Sequence, residues 1–167
     1  IAGNKALSLS SVAVTNNAPL QPPTLTATTS TPTFTEGGSA VSLFSSAAAS
    51  TIESGQTLTR LDLTVSGVVD GSTEQISVDG TTINLVSGSG TTSTNSMTYT
   101  VTVSGTTATL SLTKSGGISA TNMQTLVNGM TYQDSGNDPT AGNRVVTLIR
   151  LDDSGSNTSP NVNTTTL

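Results

Sequence analysis

The chain has 167 residues, enough for one β-sandwich with a short extra segment. Charged residues make up only 9%, the net charge is -5, and the five basic residues (Lys5, Arg60, Lys114, Arg144, Arg150) are scattered; this excludes the clustered cation patch that a nucleic-acid partner requires. With no Cys and no His, disulfides, thiolate nucleophiles, zinc clusters and imidazole bases are all excluded.

Ser, Thr, Gly and Asn replace the missing charge, and β-branched Thr and Val favour strands. Residues 1–17 hold an alternating stretch with Leu7, Leu9 and Val12. Ala18-Pro19-Leu20-Gln21-Pro22-Pro23 reads as a stiff linker, because Pro fixes φ and favours extended chain. Short extended pieces are expected at Leu25–Thr28 and Thr33–Thr35, followed by a Glu36-Gly37-Gly38 turn and a strand at Val41–Phe44. Leu58–Val65 alternates, with Leu61, Leu63 and Val65 on one side. Glu74–Val78 and Thr81–Val86 flank Asp79-Gly80, a strong hairpin signal. Met97, Tyr99, Val101 and Val103 alternate, Ser104-Gly105 turns the chain, and Ala108, Leu110 and Leu112 alternate back. One short helix is expected near residues 119–128, capped by Ser119, with Met123, Leu126 and Val127 as its apolar stripe and Asn128-Gly129 as its stop. Arg144–Leu151 is the last strand, apolar on both faces, which suggests burial or cover by a neighbour. These elements predict an all-β, Greek-key β-sandwich of cadherin- or immunoglobulin-like type. The only aromatics are Phe34, Phe44, Tyr99 and Tyr132, so its core is aliphatic.

An internal echo organises the chain. Ala2-Gly3-Asn4-Lys5 returns as Ala141-Gly142-Asn143-Arg144, and Ala6-Leu7-Ser8-Leu9 returns as Val145-Val146-Thr147-Leu148. Residues 1–17 then read as the terminal strand of a preceding repeat, 18–23 as a linker, 24–157 as one complete module and 158–167 as the start of the next linker. The chain reads as a piece of a longer tandem array.

Phe34-Thr35-Glu36-Gly37-Gly38, Val78-Asp79-Gly80-Thr81, Leu126-Val127-Asn128-Gly129-Met130-Thr131-Tyr132 and Ala141-Gly142-Asn143-Arg144 follow one another across most of residues 24–157. In that order they resemble the cadherin-like, immunoglobulin-fold tandem repeats of large, type-I-secreted, RTX-like bacterial adhesins. The resemblance implies a spacer at a bacterial cell surface, with calcium stiffening the joints between modules. Cadherin-type joints place acidic residues before the linker. Here Asn16-Asn17-Ala18-Pro19 brings no carboxylate, whereas Asp152-Asp153 does.

Calcium takes six to eight oxygen ligands. The candidates are Glu36, Asp152 and Asp153 at the module ends and Asp134 and Asp138 in one loop; the competing reading is turn chemistry, in which Asp bonds its own backbone. Asp70-Gly71 and Asp79-Gly80 read as turns, and Glu53, Asp62 and Glu74 as solvated positions. No carboxylate pair comes with an aromatic sugar platform, and Ser and Thr lack a base, so no catalytic residue is assigned and the chain is expected not to be an enzyme. The expected function is a structural repeat of an extracellular adhesin or filament that gives reach, stiffness and head-to-tail self-association by β-strand addition. Its partners are neighbouring copies of itself, with no membrane span. The exchanging positions are Leu7, Leu9 and Val12 against Val146, Leu148 and Leu151. The alternative is a carbohydrate- or surface-binding module of a secreted protein.

Overall fold

The computed structural model describes residues 18–167. Twelve strands and one α-helix follow in order: β1 (Thr24–Thr29), β2 (Val41–Ser42), β3 (Phe44–Ser50), β4 (Leu58–Ser66), β5 (Glu74–Val78), β6 (Thr81–Asn84), β7 (Gly88–Thr91), β8 (Thr98–Ser104), β9 (Thr107–Ile118), α1 (Ala120–Asn128), β10 (Thr131–Asp134), β11 (Val145–Asp153) and β12 (Thr164–Thr166). A six-stranded sheet runs β12-β11-β4-β9-β8-β7. A four-stranded sheet runs β2-β10-β5-β6, and β1 pairs with β3. Every pairing is antiparallel. The chain passes directly between the six- and four-stranded sheets after β4, β6, β9 and β10, so strands distant in sequence become neighbours, as in a Greek key. The fold is the expected all-β sandwich with one short helix.

Period-two patterning sets the core. Leu61, Leu63 and Val65 of β4 stand opposite Leu112, Leu110 and Ala108 of β9, and all six are fully buried. Ile76, Val78, Ile83 and Phe44 close the core from the smaller sheets. The Asp79-Gly80 hairpin forms as its sequence demands: both residues have positive φ (51° and 75°), the twist that suits a two-residue connection. The hydroxyl oxygen of Ser119 accepts from the Asn122 N–H and caps α1, whose buried face is Met123, Leu126 and Val127. Gly129 ends the helix in the right-handed region (φ -86°), so the expected glycine stop does not use left-handed freedom.

Two expectations change in detail. The alternation running from Met97 through β8 buries Met97 and Val101 but leaves Val103 exposed near the sheet edge. Among the apolar residues of β11, only Leu151 is fully buried; Val146 and Leu148 are half-buried and Val145 is 55% exposed. The reason is position. Strand β11 lies second from the edge, paired to β4 along its whole length but to β12 only at Arg150–Asp152. Residues 164–166, expected within the opening of a linker, thus add a strand to this module.

The sandwich has two poles. Residues 18–23, the loop 51–57 and residues 153–163 meet at one, called the linker pole. There Leu20 N–H donates to Asn161 Oδ1 (2.9 Å), Leu20 C=O accepts from Val162 N–H (3.2 Å), and Gln21 N–H donates to Glu53 Oε1 (2.7 Å). The loops 67–73 and 135–144 form part of the far pole. No helix among the described residues is long and apolar enough to cross a membrane, which says nothing of a β-barrel.

Candidate functional site

Polar groups inside an apolar core must be paired, so the buried carboxylates show where this chain concentrates its chemistry. Among the described residues, seven polar or charged side chains are buried: Asp62, Glu74, Asp79, Thr92, Asp134, Asp152 and Asp153. They fall into four settings.

At the far pole, Glu74 opens β5 with its side chain fully buried. Its Oε1 accepts from Val69 N–H (2.7 Å), Asp70 N–H (2.8 Å) and Arg144 Nη2 (3.0 Å). Its Oε2 accepts from Tyr132 Oη (3.0 Å) and Arg144 Nε (3.0 Å). Arg144 also donates to Asp70 Oδ2 (2.9 Å) and to the carbonyls of Thr140 and Gly142. Asp70 is held by Thr140 through its N–H (2.9 Å) and hydroxyl (2.5 Å). Burial raises the Glu74 pKa, but the guanidinium, the two backbone N–H groups and the phenol outweigh it and keep Glu74 below its ordinary value. Burial and the facing Glu74 push the Tyr132 phenol up. Carboxylate oxygens of Asp70, Glu74 and Asp134 lie within 4.8 Å of one another, a spacing that suits a metal ion. The Arg144 guanidinium already neutralises two of the three, so this cluster reads first as an ion-pair lock joining the 67–73 and 135–144 loops.

Asp134 and Asp138 do not form one loop site. Asp134 is buried, with Oδ1 accepting from Gly136 N–H (2.8 Å) in the turn geometry typical of Asp, while Asp138 is exposed. Glu36 is exposed and lines, with Asp134 and Asn137, a shallow groove of about 220 Å³.

Asp152 and Asp153 are also separated. Asp152 pairs across the sheet with Arg60, and Asp62 with Arg150. Ion pairs run along each strand, Arg60–Asp62 at 2.8 Å and Arg150–Asp152 at 2.7 Å, making a checkerboard of alternating charge on the outer face. Asp62 and Asp152 are covered by this lattice rather than solvated. The β4–β11 register shifts between Asp152 and Asp153, and Asp153 falls opposite Leu58 at the linker pole. A bulge re-aims the side chain after it, so the two adjacent aspartates serve different ends.

The last setting is Asp79. Its Oδ2 accepts from the Thr92 hydroxyl (2.5 Å) and Asn95 N–H (3.1 Å), and its Oδ1 from Asn95 Nδ2 (2.5 Å). Lys114 Nζ donates to Asn95 C=O (2.5 Å). This network fastens the loop before β8 to the Asp79-Gly80 hairpin.

Of the strand-exchange positions, Leu7, Leu9 and Val12 lie outside the described residues; Val146, Leu148 and Leu151 all lie on β11. Sequence reading missed Arg144 as the hub of the far-pole lock and placed Glu74 and Glu53 in solvent. A lone Glu between Thr73 and Gln75 carries no local mark of burial, and the partner that buries it is seventy positions away. No family model, curated protein or solved structure matches the chain.

Proposed function

We propose that this chain is a structural repeat of an extracellular adhesin or surface filament, acting by assembly and reach rather than by catalysis. The observation that carries the reading is the half-paired outer edge of β11. Its inner edge pairs with β4 from Val145 to Asp153, but β12 covers only Arg150–Asp152 on the other side. Among the described residues, Val145–Leu148 have no strand outside them. An open strand edge is a template for another strand. In a longer polypeptide, continuing chain can fill it. Between separate copies, residues 4–14 can fill it, with Leu7 and Leu9 alternating as an added strand needs. Such an interaction is head-to-tail and builds an open fibre.

Stiffness has its own support. The Pro-rich linker is tied to the module through Leu20 and Gln21. Each backbone bond made by the linker removes freedom from the angle between neighbouring modules.

Deleting residues 1–17 is expected to abolish polymers while leaving a folded monomer, read by sedimentation velocity and circular dichroism. Adding a peptide of residues 1–17 to the truncated chain should fill the edge and raise its melting temperature. Polymers that persist unchanged after the deletion would refute strand exchange by this segment.

A further inference from the structure

Among the described residues, Lys114 is the basic side chain that forms no ion pair. Arg60, Arg144 and Arg150 each sit on a carboxylate. Lys114 is half-buried on β9, and its Nζ meets Asn95 C=O (2.5 Å) instead. A lysine partly withdrawn from water, with no anion fixing its charge, is suited to act as a nucleophile. The amide it could attack belongs to the residue it already touches.

The Asn95 side chain is prepared from both ends. Its Oδ1 accepts from Asn122 Nδ2 (2.9 Å), which draws electron density from the carbonyl. Its Nδ2 donates to Asp79 Oδ1 (2.5 Å), while Asn95 N–H donates to Asp79 Oδ2 (3.1 Å). A carboxylate can only accept, so Asp79 fixes which end of the amide is nitrogen. It therefore stands on the group that would leave. Thr92 and Met97 close the loop that carries Asn95, bonding each other through Thr92 N–H to Met97 C=O (2.8 Å) and Met97 N–H to the Thr92 hydroxyl (2.9 Å). Within it Ser96 takes a left-handed φ of 53°, a strained conformation for a non-glycine residue and of a kind that gathers at functional sites. Asp79, Thr92 and Met97 are all buried, so water is scarce beneath the amide.

We propose that Lys114 and Asn95 join in an intramolecular isopeptide bond, with Asp79 as the proton carrier. A change of Lys114 rotamer moves Nζ from the Asn95 backbone carbonyl to Cγ. The ammonium gives one proton to Asp79 and the amine attacks Cγ. The new Nζ–Cγ bond forms and the Cγ–Nδ2 bond breaks. Asp79 passes its proton to the departing nitrogen, and the second Nζ proton follows when the intermediate collapses. Ammonium leaves with the charge that lysine brought, so the step needs no oxidant, cofactor or second protein. The reaction occurs once per chain and closes a span of 19 positions. It staples β9 to the loop before β8 and goes beyond the filament reading. It is read on a single chain, so loss of polymers leaves it standing.

The test is the intact mass of the full chain, measured after denaturation. The parent should be lighter than its sequence by one ammonia, about 17 Da. Trypsin should fail to cut after Lys114 and release a product spanning 61–144 that carries the same loss. Lys114→Arg keeps a donor for Asn95 C=O but cannot form the amide. It should have the mass of its sequence and melt about 5–10 °C below the parent. Asp79→Asn suits the left-handed hairpin position and should fold, yet should also keep the mass of its sequence. A parent mass equal to that of the sequence would overturn the proposal. Loss of ammonia with cleavage after Lys114 intact would overturn it too, since that marks closure of Asn95 onto the Ser96 nitrogen. Complete cross-linking in Asp79→Asn would overturn the role given to Asp79.

Discussion

Arg144 does more at the residue scale than any other side chain described here. Its guanidinium holds Glu74 and Asp70 and reaches two carbonyls of its own loop, with only 9% of the side chain exposed. Truncating one partner of a buried pair is more damaging than the pair is worth, because the other charge is stranded. Arg144→Met is expected to cost about 3–5 kcal/mol in urea unfolding. The pH dependence follows from the lowered Glu74 pKa. Its stabilisation is present above the ordinary carboxylate range and is lost as pH falls through the folded-state value. Without Arg144 that contribution is already missing at neutral pH, so the acid limb of a stability–pH curve should flatten in the variant. Asp153 has the opposite sign: its raised value makes it a burden that grows as pH rises above the unfolded value.

Elements whose signals are local formed as their residues dictate. The Ser119 cap immediately precedes the nine-residue helix that carries the Met123, Leu126 and Val127 stripe, and Asp79-Gly80 needs only its own dihedrals. Ser119→Ala should lower stability by about 1 kcal/mol through loss of the bond to Asn122 N–H, measured by thermal or urea unfolding. Elements whose fate depends on neighbours were less legible. The apolar residues on both faces of β11 suggest a buried strand, yet its exposure is graded from Val145 to Leu151 because its outer neighbour is so short. Likewise Asp152 and Asp153 look like one acidic pair, and a register shift against β4 sends them to different duties.

For the whole molecule, the consequence is an unequal pair of sheet edges. The edge at β11 is half covered, and natural sheets discourage pairing at such places with charge. Val145 is exposed there and carries none. Val145→Lys should leave the fold intact, within about 0.5 kcal/mol of the parent, while weakening the head-to-tail association proposed above. Sedimentation of the variant beside the parent checks this. Equal polymer content would show that association uses another surface.

The sequence by itself determined the class of this protein. Thr- and Val-rich alternation, turn dipeptides and one capped apolar stripe are short-range signals, and they specify strands, hairpins and the helix without knowledge of the rest. It also excluded thiol and imidazole chemistry from these residues by composition. Only the tertiary structure decided which carboxylates meet. Glu74 finds Arg144 seventy residues away, and Asp153 arrives beside the 53–57 loop from almost one hundred residues downstream. The reason is that charge pairing and desolvation depend on distances across sheets, set by register and strand order. A one-residue bulge is enough to move a carboxylate from a salt lattice on one face to a buried cradle at the pole.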